Sequence, residues 1–114
     1  MQASTLKPLH IRQVVIDPPL ILAPMAGVTH IALRQLIAGF GGCGLYVSEM
    51  LSSRRVLHEK PATSFFINFL PNERPFFYQL MGNDPESMAG AICHLENVWE
   101  ETGQGPDGFD INMG

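Results

Sequence analysis

The sequence has very few cysteines, which limits the ways in which the fold could be cross-linked. Cys43 and Cys93 are the only two in 114 residues, and they lie far apart in the chain. Neither belongs to a CxxC pair or to a Cys/His spacing typical of zinc sites. We therefore interpret both as free thiols of a reducing compartment, and we predict no metal site.

Charged residues are also scarce, and positive charge is the scarcer sign. Asp, Glu, Lys and Arg make up 16% of the chain, and the formal net charge is -4. Average soluble domains carry about 25% charged residues, so much of this chain is expected to be buried. The one adjacent pair of cations, Arg54 and Arg55, is typical of a solvated helix face. This balance argues against a self-sufficient nucleic-acid binder, which would carry a basic surface.

Long apolar runs are missing as well. No run approaches the roughly 20 apolar residues that a helix needs to span a bilayer. Residues 1–13 lack the apolar centre of a signal peptide. We therefore predict a cytoplasmic protein without a membrane partner.

What the sequence does contain is a regular alternation of short apolar segments with amphipathic ones. Strands are predicted at residues 11–16, 20–23, 44–50, 76–81 and 109–113, and residues 63–69 are strand-like. Helices are predicted at residues 30–40, at 51–59 and from residue 84 onward. This order predicts an α/β fold with parallel strands and outer helices. Residues 1–19 would be a lead-in with a short strand. Because the last strand would need a further element to pack on, residues 1–114 are predicted to be part of a larger domain.

The two main helices have recognisable starts and apolar faces. Thr29 is predicted to cap the first helix, and Asp84 the second, with Pro85 at the first helical position. Apolar residues at helical spacing predict one buried stripe on each helix. The stripes are Leu33, Leu36, Ile37 and Phe40 in the first helix, and Met88, Ala91, Ile92, Leu95 and Trp99 in the second.

Polar side chains stand near the ends of three predicted strands. They are Glu49, Gln79 and Asn112. Burying such a group without a partner costs about 1–3 kcal/mol, and ligands of parallel α/β folds bind at the carboxyl ends of the strands. A ligand site at this edge is therefore predicted. Simpler roles stay open: Gln79 could bond a neighbouring backbone, Asn112 could form a turn, and Glu49 could cap a helix.

Four short motifs resemble those of one enzyme family. They are LAPMAGVT at residues 22–29, SEM at 48–50, QLMGNDP at 79–85 and DINMG at 110–114. In this order and with these gaps they resemble the tRNA-dihydrouridine synthases. The resemblance implies the N-terminal half of a TIM (β/α)8 barrel that binds FMN at its C-terminal mouth. It also implies NAD(P)H-dependent reduction of a uridine to 5,6-dihydrouridine, with tRNA as the substrate of the full-length enzyme.

The resemblance also implies roles for individual residues. Gln79 would hydrogen-bond the flavin ring, and Asn112 would face the flipped uracil. Glu49 lies near the same mouth and is grouped with the substrate-binding residues by position alone. Three residues after the first main strand would lie against the flavin: Pro24, Met25 and Ala26.

The family's proton donor is a cysteine that directly follows the INMG motif, which here ends at Gly114. Cys43 and Cys93 lie on other elements, so no catalytic residue is assigned. We expect the 114-residue chain to be inactive by itself and to self-associate through open sheet edges. Two alternatives stay open. One is another FMN-barrel oxidoreductase, such as a dihydroorotate dehydrogenase-like enzyme or an ene-reductase, and the other is a non-catalytic truncated binding module.

Overall fold

The lead-in forms a β-hairpin. The computed structural model describes residues 5–114, so residues 1–4 of the predicted lead-in lie outside the described part. β1 (Leu9–Ile11) pairs antiparallel with β2 (Val14–Ile16), and Arg12 takes φ 52° in the turn between them. The prediction of a single strand over 11–16 is therefore wrong, because two polar residues turn the chain between two apolar runs.

Three parallel strands form the main sheet. They are β3 (Tyr46–Ser52), β4 (Phe76–Met81) and β5 (Gly108–Ile111), hydrogen-bonded in that order. The sheet thus follows the chain order, as the alternation of strands and helices predicts, and it confirms the α/β class with parallel strands.

A fourth strand position lies beside β3, but it is reduced to one bridge. Ile21 forms an isolated parallel bridge with Leu45, and the Leu22 amide donates to the Leu45 carbonyl at 3.0 Å. The predicted strand over 20–23 is therefore wrong in extent. Pro24, which has no N–H to donate, directly follows this segment and prevents the ladder from continuing.

Two α-helices cover the sheet, α1 (Ile31–Phe40) and α2 (Pro85–Asn97). Two short 3-10 turns complete the regular structure, Val56–His58 and Glu100–Thr102. The predicted helix over 51–59 contains only the first of these turns, since β3 runs on to Ser52. The strand-like stretch at 63–69 holds turns and no strand.

The helix starts agree with the sequence in one case and differ in the other. Asp84 caps α2 through its side chain, and Pro85 is the first helical residue, as predicted. In α1 the cap is His30 rather than Thr29. The Thr29 hydroxyl instead accepts the Met25 amide at 2.9 Å, so it is not free to cap the helix.

The outer face of the sheet packs against α2. Tyr46, Phe76, Tyr78 and Leu80 are each at most 4% exposed and share one core with Ala91, Leu95 and Trp99. The predicted α2 stripe is thus confirmed. The α1 stripe is wrong in part, because Leu36 is 58% exposed and Phe40 80%, whereas the charged Arg34 is 1% exposed.

The inner face of the sheet carries a second apolar cluster, formed by Ile16, Leu45, Val47 and Phe77. A β-bulge between Val47 and Met50 shifts the pairing of β3 with β4. Side chains of a regular strand alternate between faces, and a bulge inserts one residue that changes this alternation. The bulge holds Ser48 and Glu49, so Met50 rather than Glu49 lies beside Gln79.

Candidate functional site

An amide cluster occupies the C-terminal end of the sheet. The Gln79 Nε2 donates to Asp110 Oδ2 at 2.6 Å, and Asn112 Nδ2 donates to Gln79 Oε1 at 3.4 Å. Asn112 Nδ2 also lies 2.9 Å from the Met50 sulfur. β4 and β5, with the residue that follows β5, therefore bring two amides and a carboxylate into contact, and β3 adds the Met50 sulfur.

The sheet register explains this contact. Met50 of β3 lies beside Gln79 of β4, which in turn lies beside Asp110 of β5. Asn112 is two positions beyond Asp110, so both side chains leave the chain on the same face. Gln79 is 7% exposed, and an amide this buried must find partners within the protein or in a ligand.

Asn112 has a second, local role. Its Oδ1 accepts the Gly114 amide at 2.9 Å, which is the turn-forming contact left open by the sequence. The same side chain therefore shapes the loop after β5 with its oxygen and joins the amide cluster with its nitrogen. Gln79 bonds side chains rather than the neighbouring backbone.

Glu49 holds the loop that follows the first strand position. Its Oε1 accepts the Gly27 amide at 2.6 Å, and the carboxylate is 5% exposed. Gly27 takes φ 72°, a conformation that favours glycine. In residues 5–114 the Glu49 carboxylate therefore bonds this loop, and it neither caps a helix nor bonds the amide cluster.

The loop presents its apolar residues outward. Met25 is 42% exposed, while the Thr29 hydroxyl below it is fully buried and donates to the Met25 carbonyl at 3.1 Å. Pro24 is half-buried and Ala26 is exposed. The backbone is thus fixed from beneath, and the Pro24–Met25–Ala26 surface is available to a flat partner.

A buried ion pair supports this loop from α1. Arg34 and Glu73 are 1% and 0% exposed, and the Arg34 Nε donates to Glu73 Oε1. The same guanidinium donates to the Thr29 carbonyl at 2.9 Å and to the Asn68 carbonyl at 2.8 Å. Glu73, Arg34, Thr29 and Met25 therefore form one chain of contacts that ends at the exposed loop.

Three residues of this arrangement were not predicted from the sequence as part of the site. Asp110 could have been found, because it precedes Asn112 by two positions on the same strand. Arg34 and Glu73 give no such signal, since their pairing joins positions far apart in the chain. Hydrogen bonds join the loop at Pro24 to the backbone of Gln79: the Gln79 amide donates to Ser48 Oγ at 3.0 Å, Ser48 Oγ donates to the Glu49 carbonyl at 2.7 Å, and the Glu49 carboxylate accepts the Gly27 amide. The Gln79 side chain bonds Asp110 and Asn112 instead.

Neither cysteine is placed as a reactive group at this edge. Burial raises the pKa of the Cys43 thiol above its ordinary value, and its sulfur donates to the Leu45 carbonyl at 3.2 Å. Cys93 is exposed on α2, on the outer side of the sheet.

In residues 5–114 no group of three or more His, Cys, Asp or Glu side chains could hold a metal ion. No helix in that range is long and apolar enough to cross a membrane.

Comparison with known proteins gives a consistent result. The family model described as dihydrouridine synthase (Dus) matches residues 21–114. A probable tRNA-dihydrouridine synthase of Rhodobacter capsulatus is 38% identical over 100 residues, which are 87% of this chain and 29% of that protein. A probable tRNA-dihydrouridine synthase of Mycobacterium tuberculosis is 33% identical over 113 residues, 93% of this chain and 28% of that protein. The tRNA-dihydrouridine synthase B of Shewanella oneidensis is 41% identical over 95 residues, 83% and 27% respectively.

The chain therefore spans under a third of the length of these relatives. No solved structure gives a significant match. The matched range nevertheless includes the loop at Pro24, the bulge at Ser48–Glu49 and the amide cluster around Gln79. Since the family model covers most of the sequence, the chain belongs to the dihydrouridine synthase family.

Proposed function

We propose that this chain is the N-terminal half of a (β/α)8 barrel that reduces uridine in tRNA to 5,6-dihydrouridine. The observation that carries the proposal is the contact between Gln79, Asp110 and Asn112 at the C-terminal end of parallel strands. Ligands of such folds bind at this end, and the relatives of the chain are named tRNA-dihydrouridine synthases. Family membership favours this reaction over those of other FMN barrels.

The residues present fit an FMN ring. A flavin needs an apolar surface against its plane and a few polar partners at its edge that fix its orientation. The exposed Pro24–Met25–Ala26 surface supplies the first, and the buried Gln79 amide supplies the second. We propose that these four residues hold FMN, which when bound supplies the hydride for reduction, with NAD(P)H as the reductant.

The bonds within the amide cluster orient the Gln79 side chain. Asp110 takes one Nε2 hydrogen, so the Oε1 is turned towards Asn112. The 3.4 Å contact between the two amides is long for a hydrogen bond, so either group can exchange it for a ligand contact at small cost. We propose that Asn112 binds the edge of an unstacked uracil, which an enzyme acting on a base must hold by hydrogen bonds.

Glu49 has a positioning role in this proposal. By accepting the Gly27 amide it holds the loop that carries the flavin-facing residues. It is therefore proposed to act through the loop rather than by direct contact with uracil. The proton donor is proposed to be the cysteine that follows the INMG motif in the family, beyond Gly114, so the 114-residue chain alone should give no dihydrouridine.

A chimera tests the proposal. Residues 1–114 would be joined to the remaining part of the R. capsulatus relative, and mass spectrometry would measure dihydrouridine in tRNA incubated with the purified protein and NADPH. We expect dihydrouridine from the chimera and none from the 114-residue chain. A folded chimera that binds FMN but leaves tRNA unmodified would contradict the proposed reaction, while one without FMN would contradict the proposed cofactor site.

A further inference from the structure

The cations of residues 5–114 divide into paired and unpaired ones. Arg34 and Arg74 are engaged in the two ion pairs found among residues 5–114, with Glu73 and Asp107 respectively. Both of these arginines also lie over aromatic rings. The remaining positive side chains are Lys7 and Arg12 of the lead-in and Arg54, Arg55 and Lys60 of the segment that follows β3.

We call residues 53–66 the mouth segment. Some of its side chains are buried against the rest of the protein, and others are charged and exposed to solvent. Val56 is 2% exposed and Ser64 is 5% exposed. The Ser53 hydroxyl lies 3.0 Å from that of Ser87 on α2. Arg54 and Arg55 lie between these anchors, are exposed, and have no ion-pair partner in residues 5–114. Their charges therefore face solvent at the same end of the sheet as the amide cluster.

A cleft of about 160 Å³ opens beside this segment. Its walls include Met50, Ser52, Arg55, Glu59, Phe66 and Met81. Met50 is the residue whose sulfur contacts Asn112, so it lies between the cleft and the amide cluster. Strand ends form one wall, and the mouth segment forms the other.

Two phenylalanines of the mouth segment are exposed: Phe66 lines the cleft together with Arg55, and Phe65 lies against the His30 ring at 5.5 Å. Phe65 is 53% exposed and Phe66 46%, although Ile67 next to them is fully buried. Exposed aromatic rings beside unpaired cations are the combination that binds single-stranded nucleic acid, because rings stack on bases and cations neutralise phosphates. Glu59 also lines the cleft, and its carboxylate disfavours a phosphate there but can accept an N–H of a base, such as the N3–H of uracil. This arrangement suits a base inside the cleft and phosphates at its rim, near Arg54 and Arg55.

We propose that the mouth segment is a contact surface for single-stranded RNA, with Arg54 and Arg55 on phosphates and Phe66 stacked on a base in the cleft. The inference rests on the proposed function, since RNA is then the substrate whose flanking nucleotides must be held while one base is unstacked. The formal net charge of -4 does not describe the mouth segment itself, in which Glu59 is the one acidic residue beside Arg54, Arg55 and Lys60. The interpretation of Arg54 and Arg55 as a solvated helix face is correct about exposure and wrong about the helix, because both residues lie in the turn after β3.

Fluorescence anisotropy of a labelled oligouridylate with the 114-residue chain tests the inference. The double variant R54Q/R55Q should weaken binding roughly tenfold at low salt and reduce the slope of log K against log salt by about 1.4, the value for two phosphate contacts on a single strand. The matched double variant K7Q/R12Q removes the same charge from the lead-in, and its affinity should stay within about twofold of the parent.

A second pair of variants separates stacking from charge. Phe66→Leu should weaken binding roughly tenfold because base stacking is lost, whereas Phe40→Leu on α1 should leave binding unchanged. All six replaced residues are exposed, and far-UV circular dichroism verifies that each of the four variants is folded. Equal losses from both double variants, or no affinity in the parent chain, would overturn the inference. Such a result would overturn the RNA contact surface but would not change the dihydrouridine expected from the chimera. The two experiments therefore test the two proposals separately.

Discussion

Replacing Arg34 with methionine is expected to lower the free energy of unfolding by about 3–5 kcal/mol, because it leaves the buried Glu73 carboxylate without its partner. Both side chains are at most 1% exposed, so water cannot replace the lost contact. The Thr29 and Asn68 carbonyls lose their guanidinium donor as well. Urea unfolding followed by far-UV circular dichroism measures the change.

Arg74→Met is the matched control. Arg74 also pairs with a carboxylate, that of Asp107 at 3.0 Å, but the two side chains are 32% and 29% exposed. Such partly solvated pairs contribute about 1 kcal/mol or less. Equal losses in the two variants would show that burial does not decide the value of the Arg34 pair. In that case the account of how the loop at Met25 is supported would be wrong.

The second large effect is expected at Gln79. In the chimera, Gln79→Leu should reduce the FMN retained per protein at least about tenfold, equivalent to about 1.4 kcal/mol of binding free energy. Leucine is close to glutamine in size but cannot bond a flavin edge. It also leaves the side chains of Asp110 and Asn112 without the partner they have in the parent chain. The flavin absorbance of the purified protein measures the retained cofactor.

Gln35→Leu provides the comparison for that measurement. Gln35 is a half-buried amide on α1 whose Nε2 donates to Asn72 Oδ1 at 3.2 Å, away from the strand ends. Its replacement should leave the flavin content unchanged. If both variants retained full FMN, the Gln79 amide would not be part of the cofactor site, and the assignment by resemblance would have to be abandoned.

The parts of the fold that follow local rules were predictable. The start of α2 combines a capping aspartate with a proline at the first helical position, and its apolar stripe has a single continuous core to face. The β4 strand is a run of apolar residues buried on both faces, as expected within a parallel sheet. Sequence periodicity is sufficient to predict these features because each of them lies within about one helix or strand.

The errors arise where distant residues decide the outcome. The α1 stripe was predicted from spacing. Arg34 is nevertheless buried, because it forms an ion pair with the carboxylate of Glu73, which lies far along the chain. Thr29 has the chemistry of a helix cap, but its hydroxyl is bound by Met25, so His30 caps instead. Neither the ion pair of Arg34 nor the hydroxyl contact of Thr29 can be predicted from the hydrophobic spacing of the residues around it.

The site shows the same division. That Gln79 and Asn112 would lie at one edge followed from strand direction alone, and the structure brings them into contact. The spacing of Asp110 and Asn112 puts both on one face, but the contact of Asp110 with Gln79 required the register between β4 and β5, which the sequence does not specify. The bulge that carries Glu49 towards the Gly27 loop is likewise a property of strand pairing. The functional roles of these residues remain proposals.

The central claim is that side chains from adjacent parallel strands converge on a flat heterocycle, and amide NMR tests it most directly. The chimera, with its Asn and Gln side chains labelled with ¹⁵N and its flavin removed, would be titrated with FMN. The account predicts shifts of the Gln79 and Asn112 side-chain amide signals, with those of Gln35 and Asn72 unchanged. Saturable FMN binding that leaves the Gln79 and Asn112 signals in place would contradict it.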